Sequence, residues 1–291
     1  MLLKPSEYFR ITSKKASKKL GQHFLIQPVT AQRIVESANI TSDDIVVEIG
    51  PGLGALTRLL IDKPCELHLV EIDRLMAEEL AKRVPNNARA RIIWHVQDIL
   101  EFDWQRLATK QGRRLKVLGN IPYNISSPLL FRLLRAAPAL KSASLMVQRE
   151  VGLRWIAPSG TKSYGLPSVL IALSGSAYKL LDVGRGQFFP APRVESVVIK
   201  IEFFEKTLWQ DVGFDFLMKF LSQLFSQRRK TVLNSLKDYV KRDFGTIAVT
   251  ASELLSSCGI SPNLRPEQIS PESFLNLARA TRQSLMQEER G

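Results

Sequence analysis

Two stretches of the sequence hold residue types suited to chemistry. The first, Asn120-Ile121-Pro122-Tyr123, offers a side-chain amide oxygen, a backbone carbonyl and an aromatic ring within four residues. An adenine exocyclic amine is a poor nucleophile because its lone pair is conjugated into the ring. Two acceptors gripping its N–H groups, the Asn120 amide oxygen and the Pro122 carbonyl, would draw the nitrogen toward a tetrahedral state with a localised lone pair, ready for methyl transfer. Tyr123 would stack on an extruded base, an interaction worth ~1–3 kcal/mol. No Cys or Ser nucleophile is needed if the methyl arrives on a sulfonium. Positioning and stabilisation of the charge that moves to nitrogen then supply the acceleration. The plain alternative is a Pro-containing loop with a buried Asn and Tyr.

The second stretch, Glu48-Ile-Gly50-Pro-Gly52-Leu-Gly54-Ala55, lets backbone approach a ligand closely because side chains are missing. On its own it is ambiguous: Gly50, Gly52 and Ala55 also satisfy the dinucleotide fingerprint, and Glu71 lies where a ribose-binding acid belongs. A nicotinamide-dependent dehydrogenase is the rival reading, and a purely structural turn the bland one. Glu71 would accept from both ribose hydroxyls and Asp98 from a cofactor's adenine amino group. A dehydrogenase has no use for the tetrapeptide.

The elements that must position these residues alternate. Strands are expected at 45–49, 66–72, 90–96 and 116–119, with helices at 55–61 and 74–83, a parallel doubly wound pattern. Further strands at 143–148, 174–181 and 196–203 would complete the sheet. Beyond Glu205 the periodicity turns helical, at 214–225, 230–239, 251–258 and 271–280. The expected organisation is therefore a catalytic domain over 1–205, with 1–19 a basic arm, and a helical domain over 206–291.

Charge narrows the partner. Lys plus Arg number 41 against 28 Asp plus Glu, a net +13, which calls for a polyanion, either nucleic acid or an anionic membrane surface. There is no apolar run long enough to span a bilayer. Cys65 and Cys258 form no metal-ligand or disulfide pattern, so no metal is expected and a cytoplasmic setting fits. Arg228-Arg229-Lys230 would contact phosphates, the alternative being a solvated helix face.

From about Lys18 to Phe274 the motifs resemble, in order, those of the rRNA adenine N6,N6-dimethyltransferase family. Leu20-Gly-Gln-His23-Phe-Leu25 is similar to its N-terminal signature, Glu48 to Gly54 to its cofactor loop, Glu71-Ile-Asp73 and Asp98 to its ribose and adenine acids, and Asn120 to Ser126 to its catalytic motif. Phe188-Phe-Pro-Ala-Pro-Arg-Val-Glu-Ser196 resembles the segment whose aromatic closes the far face of the target base; Phe188 is taken as that aromatic, with Phe189 the alternative. Phe225 to Thr231 and Pro262 to Glu267 are also similar to family segments.

The resemblance implies an α/β, Rossmann-like class I S-adenosylmethionine-dependent methyltransferase sheet with helices on both faces, plus a small all-helical C-terminal domain. It implies cofactor contacts from His23, Leu25, Gly50, Gly52, Glu71, Asp98 and Asn120, and catalysis by Asn120, Pro122, Tyr123 and Phe188. The substrate would be two adjacent adenines in a hairpin near the 3′ end of small-subunit rRNA. A monomer would dimethylate them late in subunit assembly. A relative acting on large-subunit rRNA and a non-catalytic nucleic-acid-binding branch are the alternatives.

Overall fold

The computed structural model describes residues 4–12, 16–17, 20–227, 229–244 and 249–288. Arg228 and the arm residues Lys14, Lys15, Lys18 and Lys19 lie outside the described residues. Within the expected arm, Pro5–Thr12 is a helix that buries Tyr8.

Seven strands form the main sheet: β1 (Ile45–Ile49), β2 (Glu66–Glu71), β3 (Arg91–Val96), β4 (Leu115–Asn120), β5 (Leu140–Gln148), β6 (Gly175–Val183) and β7 (Ser196–Phe203). Their spatial order is 3-2-1-4-5-7-6. Strands β1 to β5 are mutually parallel, and β7 runs antiparallel to β5. An antiparallel strand inserted beside β5 departs from the six-stranded dinucleotide order, which counts against the dehydrogenase reading. All of β1 is buried, so it must be covered on both faces. One face packs Val46, Leu67, Leu69, Leu118, Met146 and Val198 against Ala31, Ile34 and Val35 of the helix Pro28–Ser37 and Leu60 of the helix Thr57–Leu60.

The strands at 45–49 and 196–203 have the expected bounds, and the others shift by a few residues. Helices Pro28–Ser37, Trp104–Gln111, Ser126–Arg135 and Leu166–Ser174 were not read from sequence. Leu166–Ser174 is apolar on nearly all sides and buried almost throughout, so it carries no amphipathic period to detect.

Two compact units emerge: Met1–Leu153 with Ala177–Glu205, and Arg154–Ser176 with Lys206–Gly291. The second unit thus includes, besides everything after Glu205, an internal segment from the first two-thirds of the chain. Within it, Tyr164 donates to Ile269 O at 3.0 Å and Trp209 Nε1 to Ser174 Oγ at 2.9 Å. Phe220 meets Tyr239, and Phe225 meets Phe274, with ring centroids 5.4 and 5.3 Å apart. The Tyr164 and Trp209 bonds, with the Tyr164 ring 6.1 Å from that of Phe225, tie the segment to residues beyond 205, among them the helix Phe214–Phe225; the helices Val232–Phe244, Ala251–Ser257 and Pro271–Glu288 belong to the same unit.

A buried ion pair and a buried carboxyl group set the geometry of the central strands. At the amino end, Lys116 Nζ of β4 donates to Asp44 Oδ2 and Asn39 O, each at 2.7 Å, clamping β4 to the entry of β1. Burial opposes ionisation of Asp44, but the Lys116 ammonium and two Thr41 donors outweigh it and hold its carboxyl below the usual range. At the other end, Glu48 Oε2 accepts from Thr57 Oγ1 at 2.8 Å, tying β1 to the helix after the glycine loop. Burial pushes the Glu48 carboxyl up to about 8.

Lys116→Met should destabilise the fold by about 3 kcal/mol, since it leaves the buried Asp44 carboxylate with only the exposed Lys141 ammonium, 3.6 Å away, and the Thr41 donors; an unchanged urea midpoint would refute the clamp. Glu48 should make stability fall as pH rises. In the unfolded chain it ionises above its ordinary value of 4.5, whereas in the fold it stays neutral to about 8, so stability is full below the first value and lost toward the second. Glu48→Gln should flatten that decline by a few kcal/mol between about pH 5 and 8 in denaturation curves.

Candidate active site

The carboxyl ends of β1 to β4 meet where the strand order reverses, the position at which open α/β sheets hold ligands. A cavity of about 580 Å³ opens there. Of the residues expected from sequence, His23, Leu25, Gly50, Gly52, Glu71, Asp98, Asn120, Pro122 and Tyr123 all line it.

The glycine loop follows from backbone geometry. Gly50, Gly52 and Gly54 have φ of +59°, +53° and +83°, the left-handed region that L side chains avoid. A Cβ at Gly50 would meet nothing within 4 Å and would project into open space at the cavity wall, whereas one at Gly52 would lie 3.0 Å from the Phe24 ring. The Gly52 N–H donates to Glu71 Oε2 at 3.0 Å, and the Asp73 N–H to Glu71 Oε1 at 2.9 Å. These bonds fix the carboxylate at the end of β2. Burial nevertheless raises its pKa. Asp98, just past β3, accepts from the Leu100 N–H through Oδ1 at 2.9 Å, which leaves Oδ2 for a ligand. A wall bare of side chains, flanked by fixed carboxylates with spare lone pairs, fits S-adenosylmethionine: Glu71 would take ribose hydroxyls and Asp98 the adenine amine.

At the end of β4, Asn120 Nδ2 donates to the backbone carbonyl of His23 at 2.7 Å. A carbonyl can only accept, so this contact orients the amide and leaves Asn120 Oδ1 as the free acceptor. Pro122 O accepts from the Ile125 N–H at 3.1 Å, closing the turn, and at a longer 3.4 Å from Ser126 Oγ, a hydroxyl that can rotate away from it. Tyr123 OH is bonded to Ser196 Oγ at 2.7 Å, and its ring lies 5.6 Å from that of His23 at 27°. Burial raises the Tyr123 pKa. His23 Nδ1 donates to Pro190 O at 2.8 Å. The imidazole therefore organises the Tyr123 side of the cavity, while the His23 carbonyl sets the Asn120 amide.

Phe188 is not where the sequence put it. Phe24–Leu25 and Phe188–Phe189 form a two-stranded antiparallel ribbon pairing Phe24 with Phe189 and Leu25 with Phe188. Side chains alternate across such a ribbon. Leu25 and Phe188 enter the hydrophobic core, Phe188 only 3% exposed, while Phe189 is 37% exposed and lines the cavity. Phe9 stacks on Phe189 with centroids 6.2 Å apart and also touches Phe24.

Sequence reasoning missed Ser196, Phe9, Phe24 and Arg58 as parts of this site. Ser196 stands 73 residues from the Tyr123 it fixes, a separation that carries no local signal. Arg229 and Lys230 lie in the second unit, exposed in the turn before the helix Val232–Phe244, with Lys230 Nζ 2.8 Å from Asp238 Oδ2. Among the described residues no group of three or more His, Cys, Asp or Glu could hold a metal, and no helix is long and apolar enough to cross a membrane.

Comparison with known proteins gives a consistent result. The family described as Ribosomal RNA adenine dimethylase matches residues 13–282. Ribosomal RNA small subunit methyltransferase A of Nitrosococcus oceani is 39% identical over 265 residues, 91% of this chain and 96% of the relative. The Malacoplasma penetrans protein of the same name is 37% identical over 262 residues, 90% of each. Among solved structures, a dimethyladenosine transferase from Plasmodium falciparum has a TM-score of 0.75 at 27% identity, covering 90% of this chain and 98% of that one. The 23S rRNA methyltransferase ErmE shares the fold, with a TM-score of 0.64 at 22% identity over 88% of this chain and 98% of its own. With the strand order, the glycine cradle and the Asn120 to Tyr123 turn on one cavity, these likenesses establish that the chain belongs to the ribosomal RNA adenine dimethylase family of S-adenosylmethionine-dependent methyltransferases.

Proposed function

We propose that the chain dimethylates N6 of two adjacent adenines in a hairpin near the 3′ end of small-subunit rRNA, late in subunit assembly, as a cytoplasmic monomer. The observation that carries the chemistry is the orientation of Asn120: its NH₂ is spent on the His23 carbonyl, so its oxygen is offered to the cavity. The small-subunit address is supported by relatives of 39% and 37% identity named for small-subunit rRNA.

S-adenosylmethionine, when bound, supplies a methyl group on a sulfonium, an activated electrophile. Asn120 Oδ1 and Pro122 O hold the two amine protons, which turns the nitrogen lone pair toward the donor. As nitrogen becomes cationic the same two oxygens stabilise it until a proton departs. Tyr123, held by Ser196, and Phe189 grip the base from its faces and keep water from the reacting nitrogen. His23 acts by positioning Asn120 and Tyr123. Glu71 and Asp98 orient the donor. The unit of residues 1–153 and 177–205 carries this chemistry and the helical unit beyond 205, with the segment 154–176 that belongs to it, binds RNA, with Arg228, Arg229 and Lys230 on phosphates.

Mapping modified adenines after incubation with undermethylated small subunits tests the address. Modification should appear at two neighbouring adenines in one hairpin, and modification elsewhere, or none, would refute the proposal. In the same assay Asn120→Ala should lower turnover by ~10²–10³-fold with RNA affinity nearly unchanged. The aromatic pair separates by phenotype. Phe189→Ala should leave the melting temperature close to wild type and weaken catalysis by roughly 5- to 100-fold through lost stacking. Phe188→Ala should destabilise the fold by ~3–5 kcal/mol. The reverse pattern would return the stacking role to Phe188.

A further inference from the structure

The charges lining the cavity are unevenly spent. Among the described residues, Glu48, Glu71 and Asp98 are its carboxylates, each engaged by a donor of the chain. Besides His23, its basic residues among those described are Lys4 and Arg58. Arg58 sits one helical turn beyond the glycine loop, its N–H bonded to Gly54 O at 3.1 Å, and directly follows Thr57, which is anchored to Glu48. Its Nε is shielded from solvent and has no hydrogen-bond partner. Leaving a desolvated guanidinium N–H unpaired is unfavourable, so such a group marks a place where a partner comes from outside the chain.

We infer that Arg58 is a cofactor-binding residue that takes the α-carboxylate of the amino-acid portion of S-adenosylmethionine. This rests on the cofactor reading above and extends it to the end of the ligand that Glu71 and Asp98 do not reach. Three features converge. The ribose and adenine acids stand past β2 and β3, so the amino-acid end falls to the side of Gly50 to Gly54 and the turn of helix after it. A carboxylate there lies against backbone bare of side chains, and leaving water for such a place needs a fixed cation to meet it. A guanidinium forms paired, charge-assisted hydrogen bonds with a carboxylate, which a lone ammonium such as Lys4 does not reproduce.

Titration calorimetry with two ligands isolates the contact: S-adenosylmethionine, and its decarboxylated analogue, which keeps the sulfonium, the ammonium and the adenosine. Wild-type protein should bind the analogue ~10- to 100-fold more weakly. Arg58→Gln should weaken S-adenosylmethionine binding by a similar factor while leaving the analogue unchanged, so that the variant no longer distinguishes the two. Arg58→Lys should restore part of the difference. Equal loss for both ligands in Arg58→Gln would show a merely structural role, and no loss for either would remove Arg58 from the site. Both results overturn the inference with the cofactor reading intact. Wild-type protein that binds neither ligand would sink the cofactor reading, and this assignment with it.

Discussion

The arrangement of the cavity at the end of β4, and the chemistry proposed for it, depend on one hydrogen bond, from the Asn120 amide nitrogen to the His23 carbonyl, 97 residues away in sequence. A free asparagine amide can present either its oxygen or its nitrogen, and with the nitrogen forward Asn120 would repel the amine it is proposed to hold. Spending the NH₂ on a backbone carbonyl removes the choice. Everything around the bond keeps its two ends in place. Strand β4 delivers Asn120 to the carboxyl edge, Gly119 lets Ile49 and Ile121 close in where a Cβ would lie 2.9 Å from both, and the Phe24–Leu25 ribbon carries the His23 carbonyl to meet it. Gly21, at φ +60°, lets that segment pass Asn124 where a Cβ would come within 2.9 Å of its side chain.

How much of this was legible in the sequence follows from how far each contact reaches along the chain. Apart from His23 and Leu25, the proposed cofactor contacts lie at the ends of successive strands, so each is announced by a local pattern: a β-branched run meeting Gly50, another ending in Glu71, a third followed by Asp98, a fourth ending in Asn120. The base-binding half is built across long separations and was read less well. Tyr123 was identified from its motif, but Ser196 and the His23 ring, which immobilise it, were not given that role. Between Phe188 and Phe189 the sequence offers two identical residues. Only the register of the ribbon, Leu25 opposite Phe188 and Phe24 opposite Phe189, decides which faces the core, and register is a property of pairing rather than of composition.

The same reasoning explains the division into units. Residues 154–176 come between β5 and β6, so reading along the chain assigns them to the sheet. Their helix Leu166–Ser174 is apolar all round, which suits a helix enclosed by others rather than one laid on a sheet with a solvent face. Contacts through Tyr164, Ser174 and Trp209 join the segment to residues beyond 205.

Burial also orders the electrostatics. Glu48 and Glu71 are nearly inaccessible carboxylates on a cavity meant for a cationic donor, and burial raises the pKa of both. Left to itself the low-dielectric environment favours their neutral forms, but a sulfonium and an ammonium nearby would favour the charged ones. The ligand that needs these acids ionised is thus the one that makes ionisation affordable. It is the strand order, with antiparallel β7 beside β5, that counts against the dehydrogenase the glycine fingerprint alone left open.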